Sequence, residues 1–330
     1  MAYHHVARQR TRAVALILVG LAILTAGIGL SIGSVSLPWT DFFTALFGHG
    51  ADIDRQIIWQ LRFPRVMAGF ATGALLAVAG TLLQAMLRNP LADPYILGTA
   101  GGAGVAALSA IALGASTLWT NLGAFIGSLA ATLLVFGLAG GTVSRAQNLL
   151  LTGVMIAAGC GAVISFLLVT SDSADLPAML FWLIGDLSHV QSPWHAVIGA
   201  AVIVAAAMRF GSQLDRLAQG ELFAVALGVR VQRVYAALYA LAALATALAV
   251  TVAGTMGFIG LIVPHLLRLA GIQRHGPLLL LAPLAGGSLL VLADVISRTV
   301  LAPRELPVGI VTAAVGIPIF FILLRRHSHS

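Results

Sequence analysis

Apolar stretches about as long as a bilayer is thick recur along this chain from residue 13 to residue 324. A helix needs about 20 such residues to cross the hydrocarbon, so each stretch reads as a crossing. The spans fall at 13–33, 64–87, 95–114, 118–140, 147–170, 193–209, 233–252, 256–270, 277–297 and 306–324. The pattern predicts an all-α, polytopic membrane protein of about ten transmembrane helices, forming one transmembrane domain over residues 1–330. Only 9% of residues are charged, against about a quarter in soluble domains, so no water-facing domain fits alongside. Five helices before the middle and five after allow an inverted repeat of two halves. The eighth span is short and interrupted by glycine, which predicts a broken or partly re-entrant helix sheltered by its neighbours. The first span is too long for a signal-peptide core and lacks a small-residue cleavage site, so it reads as a retained helix.

All 18 basic side chains are arginine. With both termini in the cytoplasm, ten crossings put thirteen arginines inside (8, 10, 12, 88, 145, 209, 216, 230, 233, 268, 274, 325 and 326). Five remain outside: Arg55, Arg62, Arg65, Arg298 and Arg304. That asymmetry follows the positive-inside rule and accounts for the net charge of +7 without nucleic acid. Lacking lysine, the chain cannot carry a P-loop for ATP. Cys160 is the only cysteine, which rules out an internal disulfide and reads as a small buried residue.

Two connections are long enough to carry structure. The external loop 34–63 contains apolar spacings that suit short surface helices. The internal loop 210–232 sets Leu214, Leu217, Leu222 and Val225 at helical spacing among Asp215, Arg216 and Glu221. It reads as a helix-turn-helix offered to a partner, the alternative being a helix lying on the lipid headgroups. Residues 171–192 read as an external re-entrant segment, whose Met179, Phe181 and Trp182 either line a pathway mouth or belong to an interfacial aromatic belt. Glycine pairs four apart (Gly69 and Gly73, Gly123 and Gly127, Gly137 and Gly141) suit close helix packing. The denser run Gly98, Gly101, Gly102 and Gly104 suggests an unwound helix start.

Three strings carry a resemblance: LRFPRVMAGFATGALLAVAGTLLQAMLRNPLADPYILGTAGGAGVAA (61–107), GTMGFIGLIVPHLLRLAGI (254–272) and LADVISRTVLAPRELPVGIVTAAVGIPIFFILLRR (292–326). In order and loop length, nearly the whole chain resembles the permease subunits of ABC importers for ferric siderophores, haem and cobalamin. The resemblance implies a homodimer in the inner membrane with the substrate path along its interface. It also implies two separate ATPase subunits, which bind ATP and magnesium, and an external substrate-binding protein; no cofactor is expected in this chain. Coupling to the ATPases falls on Asp215, Arg216, Leu217, Glu221, Ala224 and Gly228, a loose match to the Glu-Ala-Ala…Gly pattern of importer permeases. Docking of the binding protein falls on Arg62, Arg65 and Arg298. For the first two the alternative is headgroup anchoring; for Arg298 it is pairing with Asp294, four residues earlier. Arg304 beside Glu305 reads as a local surface pair. The inner gate falls on Asn89 and Leu91, and on a second loop at Ser144–Asn148, where Ala146 and Gln147 stand in place of the Thr-Ser pair of some relatives. Pro90 and Pro94 forbid a continuous helix through the first loop.

The histidines show no metal-ligand spacing with a carboxylate or cysteine partner, and no catalytic motif is present, so neither a metal site nor an enzyme is expected. The leading expectation is the permease of an ATP-driven importer of an iron chelate, haem or ferric siderophore, with cobalamin as the alternative cargo. An ion-coupled secondary transporter would need ionisable groups near mid-membrane, whereas Asp294 lies toward a helix end.

Overall fold

A computed structural model describes the backbone of residues 2–35, 37–140, 146–190 and 192–327. Among these the regular structure is helical, with no strand. In order come α1 (Ala2–Ser31), α2 (Trp39–Leu46), α3 (Asp52–Gln56), α4 (Phe63–Leu87), α5 (Thr99–Ala112), α6 (Thr117–Leu138), α7 (Ala146–Thr170) and α8 (Leu176–Ile184). There follow α9 (Trp194–Met208), α10 (Gly211–Ala218), α11 (Glu221–Ala226), α12 (Val231–Ala253), α13 (Ile259–Leu269), α14 (His275–Thr299) and α15 (Val308–His327). Six helices are long and apolar enough to cross a membrane, α9 with α10 makes a seventh bent by 51°, and α5, α13 and α15 are shorter apolar helices. These are the ten segments expected from hydropathy.

Helix α4 is the axis of the bundle. The apolar window that contains it is 89% buried inside the protein, against 6% for α7. A helix apolar all round belongs in a core only when other helices surround it; α14, α12, α13 and α9 do so here. Apolar burial offers little drive between helices already in lipid, so close backbone approach takes over. A Cβ on Gly73 would lie 2.2 Å from the Gly286 carbonyl oxygen, and one on Gly80 would lie 1.8 Å from that of Gly260. A third crossing brings α5 onto α6, where a Cβ on Gly102 would lie 2.3 Å from the Gly127 carbonyl oxygen.

The glycine run before α5 differs from its expectation. From Thr99 the helix is regular, and Gly101, Gly102 and Gly104 are there because Cys160, Gly127 and Ile164 press against them. Gly137 has nothing near it, and Gly141 lies outside the described residues. The eighth span is broken as expected. Backbone 254–258 is unwound between α12 and α13, with Phe258 at φ +73°.

Candidate functional site

At one end of the bundle, α10 and α11 form a short hairpin. Leu214, Leu217 and Ala224 seat it on the bundle, while Leu222 is 89% exposed beside Phe223, Val225 and Leu227. The sequence reading set Leu214, Leu217, Leu222 and Val225 at helical spacing. The break at Gly220, at φ +125°, resets the helical phase and turns the second pair outward. An open groove of about 490 Å³ runs between α11 and the start of α12, lined by Glu221, Leu222, Val225, Val229, Arg230 and Val231 among others.

Polar contacts tie this hairpin to three core helices. Asp215 Oδ1 accepts the backbone N–H of His275 at 2.8 Å and lies 2.8 Å from the ring Nδ1 of the same residue. It thereby satisfies an orphan donor at the start of α14, where a negative charge also suits the helix dipole. A carboxylate can only accept, so Nδ1 carries the proton. Arg88, which ends α4 in a left-handed turn, donates to the Leu217 carbonyl at 3.2 Å and lies 3.7 Å from Glu221. The Tyr235 hydroxyl of α12 donates to Glu221 at 3.0 Å. Of the six coupling candidates, Asp215 and Glu221 are therefore anchors, Leu217 and Ala224 the buried seat, and Gly228 the closing turn at φ +78°. Arg216 points outward.

Next to the hairpin lies the loop after α4. Asn89 Oδ1 accepts the Leu91 N–H at 2.9 Å, and Leu91 is 36% exposed. The sequence reading missed what holds this loop. Gln84, buried near the end of α4, donates to the carbonyls of Leu261 at 3.0 Å and Gly260 at 3.3 Å, with Ala92 at 3.5 Å. Arg268 donates to Gln84 Oε1 at 2.6 Å, and the Met256 N–H donates to the Tyr95 hydroxyl at 2.9 Å. The loop that carries the gate candidates is thus tied, through Gln84 before it and Tyr95 after it, to α13 and to the unwound backbone that precedes α13. The available signal was a lone glutamine inside an apolar run. Of the second gate loop, Ser144 and Arg145 lie outside the described residues, as does the side chain of Ala146; Gln147 is exposed at the start of α7.

Asp93 accepts the Tyr95 N–H at 2.8 Å. Burial pushes its carboxyl up to about 6, against the opposing pull of that hydrogen bond. A raised carboxyl pKa means that the folded state holds the proton longer than the unfolded chain does. Stability from this group therefore falls as pH climbs from 3.8 to about 6 and stays low above. Asp93→Asn keeps the acceptor without the charge. It is expected to melt with the wild type near pH 4 and above it at pH 7, by thermal denaturation in detergent; equal melting at both pH values would exclude the effect.

The three arginines at the opposite end are all buried. The guanidinium of Arg62, presented by a π-helical turn at Ile57–Arg62, donates to the carbonyls of Leu30 at 2.9 Å, Ser31 at 2.7 Å and also Val35. It caps the last turn of α1, which has no donors of its own for these oxygens. Arg65 pairs with Asp294 at 2.8 Å and Glu305 at 2.7 Å. Arg298 lies 3.1 Å from Asp294 and donates to the Gly29 carbonyl at 3.2 Å. The pairing of Arg298 with its own helix is thus realised, while Glu305 turns to Arg65 rather than to Arg304. As placed, all three docking candidates are engaged within the chain, and a partner carboxylate would have to compete with Asp294 and Glu305. In the 171–192 segment, Met179 is fully buried, and α8 is pinned where Thr255 Oγ1 donates to the Leu183 carbonyl. Among the described residues no three His, Cys, Asp or Glu gather closely enough to hold a metal ion.

An all-helical membrane bundle carrying an anchored hairpin with an apolar outer edge has the parts of a transporter's membrane subunit. The chain belongs to the FecCD transport family, whose model matches residues 15–326, and it is a permease subunit of an ABC importer. Its relatives include the vitamin B12 import system permease protein BtuC of Pectobacterium atrosepticum, 37% identical over 97% of this chain and 95% of that protein. The cobalamin import system permease protein BtuC of Halobacterium salinarum is 39% identical over 93% of this chain and 85% of that one. A solved structure described as a metal-chelate type ABC transporter in an inward-facing conformation is 28% identical, with a TM-score of 0.82, covering 96% of this chain and 99% of that one.

Proposed function

We propose that this chain is the permease of an ATP-driven cobalamin importer, working as a homodimer in the inner membrane with two ATPase subunits and an external binding protein. The observation that carries the cargo is the likeness to cobalamin permeases over more than nine tenths of the chain. The structural neighbour of metal-chelate type supports haem or a ferric siderophore as the second reading. Reconstituted with its ATPase and binding protein, the permease is expected to accumulate cyanocobalamin in vesicles in an ATP-dependent way. Accumulation of haem or a ferric siderophore with cobalamin excluded would overturn the cargo in favour of that second reading.

The hairpin end is the cytoplasmic one in this proposal. Arg10 of α1 lies against Gly271 just before α14, beside the hairpin. The segment entering α15 starts at the arginine end, where the Leu306 N–H meets the Ser297 carbonyl at 3.0 Å. Both termini then reach the cytoplasm, in line with the arginine asymmetry. The exposed edge at Leu222, Phe223 and Val225 is the ATPase contact, with Asp215 and Glu221 transmitting its movement to α14 and α12. Leu222→Glu puts a charge on that edge without touching an internal contact. We expect at least a tenfold loss of ATPase affinity, about 1.4 kcal/mol, at unchanged permease yield, read by co-purification. Undiminished association would remove the hairpin from the interface. The binding protein is proposed to land at the arginine end, with Glu305 yielding Arg65 to an incoming carboxylate.

A further inference from the structure

The external loop holds a helix with one face left exposed by the described residues of this chain. Around α2, at about 100° per residue, the side chains divide into three sectors. Phe42 and Ala45 turn inward with Ile58, against Leu30 and Leu37. Trp39, Phe43 and Phe47, spaced four apart, form an aromatic stripe exposed at 66%, 53% and 75%. Thr40, Asp41 and Thr44 occupy the remaining sector, and Asp41 is the only charge on the helix. Within the stripe the Trp39 and Phe43 rings lie 6.4 Å apart, and Phe43 also meets the inward Phe42 ring at 5.3 Å. A helix in bulk water has no use for an exposed aromatic sector beside a polar one. At a bilayer surface it has three neighbours: protein, lipid and water.

The depth of α2 follows from contacts already described. One guanidinium, that of Arg62, holds the carbonyls of Leu30, Ser31 and Val35 together. Residue 35 is therefore folded back onto the last turn of a membrane-crossing helix, and α2 starts four residues later, at Trp39. Leu30 of that last turn packs beneath Phe42. From the other side, Trp59 Nε1 donates to the Ala45 carbonyl at 3.3 Å, fixing the helix to the approach to α4. The α2 helix thus cannot leave the level at which α1 exits the membrane. Leu16, Ile17, Ile23 and Leu24 of α1 are 59–74% exposed, an apolar surface on the membrane-crossing helix to which α2 is tied. We infer that α2 lies flat in the interfacial layer of the bilayer, with Trp39, Phe43 and Phe47 inserted among the lipid chains below the headgroups and Thr40, Asp41 and Thr44 toward water. The occupant of this face is lipid, not a second copy of the chain or a delivery protein.

The test uses the full-length permease with its ATPase subunits in phosphatidylethanolamine–phosphatidylglycerol vesicles, in a Cys160→Ser background. A nitroxide is attached after Phe43→Cys, Phe47→Cys or Thr40→Cys, and its collision rates with oxygen and with a water-soluble nickel chelate are measured. Oxygen concentrates in lipid and the chelate in water. The oxygen-to-nickel ratio is expected to be severalfold higher at 43 and 47 than at 40. Equal ratios at the three positions would place the stripe in water and overturn the inference. Low rates with both reagents at 43 and 47, or dipolar broadening between labels, would overturn it in favour of a covering protein or a second copy. The three native side chains are exposed, so the substitutions leave the inward Phe42 and Ala45 in place, and retained ATPase activity verifies the fold.

Discussion

Gly80→Ala is expected to abolish the folded permease. The added methyl carbon would lie 1.8 Å from the Gly260 carbonyl oxygen and 2.5 Å from its carbon. Both are backbone atoms, so no rotamer change can make room. Helix α13 would have to separate from α4, and it has little freedom to do so. Gly260 is itself backed by the Pro94 ring, which an added Cβ there would meet at 2.7 Å, and Gln84 binds the carbonyls of Gly260 and Leu261. Overpacking a well-filled core costs about 1–3 kcal/mol when side chains can adjust. Here they cannot, and the cost should exceed about 3 kcal/mol, a large share of a typical stability of about 5–15 kcal/mol. Gly27→Ala is the matched control, because nothing lies within 4 Å of its added carbon, and mid-helix alanine gains about 0.5–1 kcal/mol over glycine. Size-exclusion profiles and melting temperatures in detergent separate the two. A monodisperse Gly80→Ala protein melting within a few degrees of the wild type would show that the crossing is looser than drawn.

Asp294→Ala should be nearly as damaging, for an electrostatic reason. Asp294 is 1% exposed and lies between Arg65 and Arg298, themselves 8% and 3% exposed. Removing it leaves Arg65 with Glu305 alone and Arg298 with the Gly29 carbonyl. Breaking a buried pair from one side costs about 3–5 kcal/mol, because the surviving charge is left without compensation. Asp294→Leu combined with Arg298→Met removes charges of both signs and should recover much of that loss. Melting temperatures of the three proteins read the difference directly. If the double variant is no more stable than Asp294→Ala alone, uncompensated charge is not the cause.

Hydropathy was sufficient for the helices, because every crossing had to be apolar over bilayer length and the arginines marked the breaks. Residues 147–170 and 277–297, for example, became α7 and α14 almost unchanged. The site was legible where chemistry is local. Asp294 and Arg298 stand four apart on one helix and pair. What escaped was long-range. Nothing near Gln84 indicates that residues 260 and 261 will meet it, and nothing near Arg62 announces that it will cap α1. The outward turn of Leu222 was lost for a different reason: a helical phase carried through a glycine break is no longer a phase.

Helix α14 is pinned toward both of its ends, to Asp215 through His275 and to Arg65 through Asp294, about 28 Å apart at 1.5 Å per residue. A member held this way cannot shift at one end without the other end registering it. Whatever equilibrium α14 has between two positions is common property of both faces of the membrane. A ligand on one face that favours one position must then change the affinity on the other face by a definite factor, and the reverse influence carries the same factor. For a machine loaded from one compartment and fuelled from the other, that equality makes the strength of signalling measurable from either side.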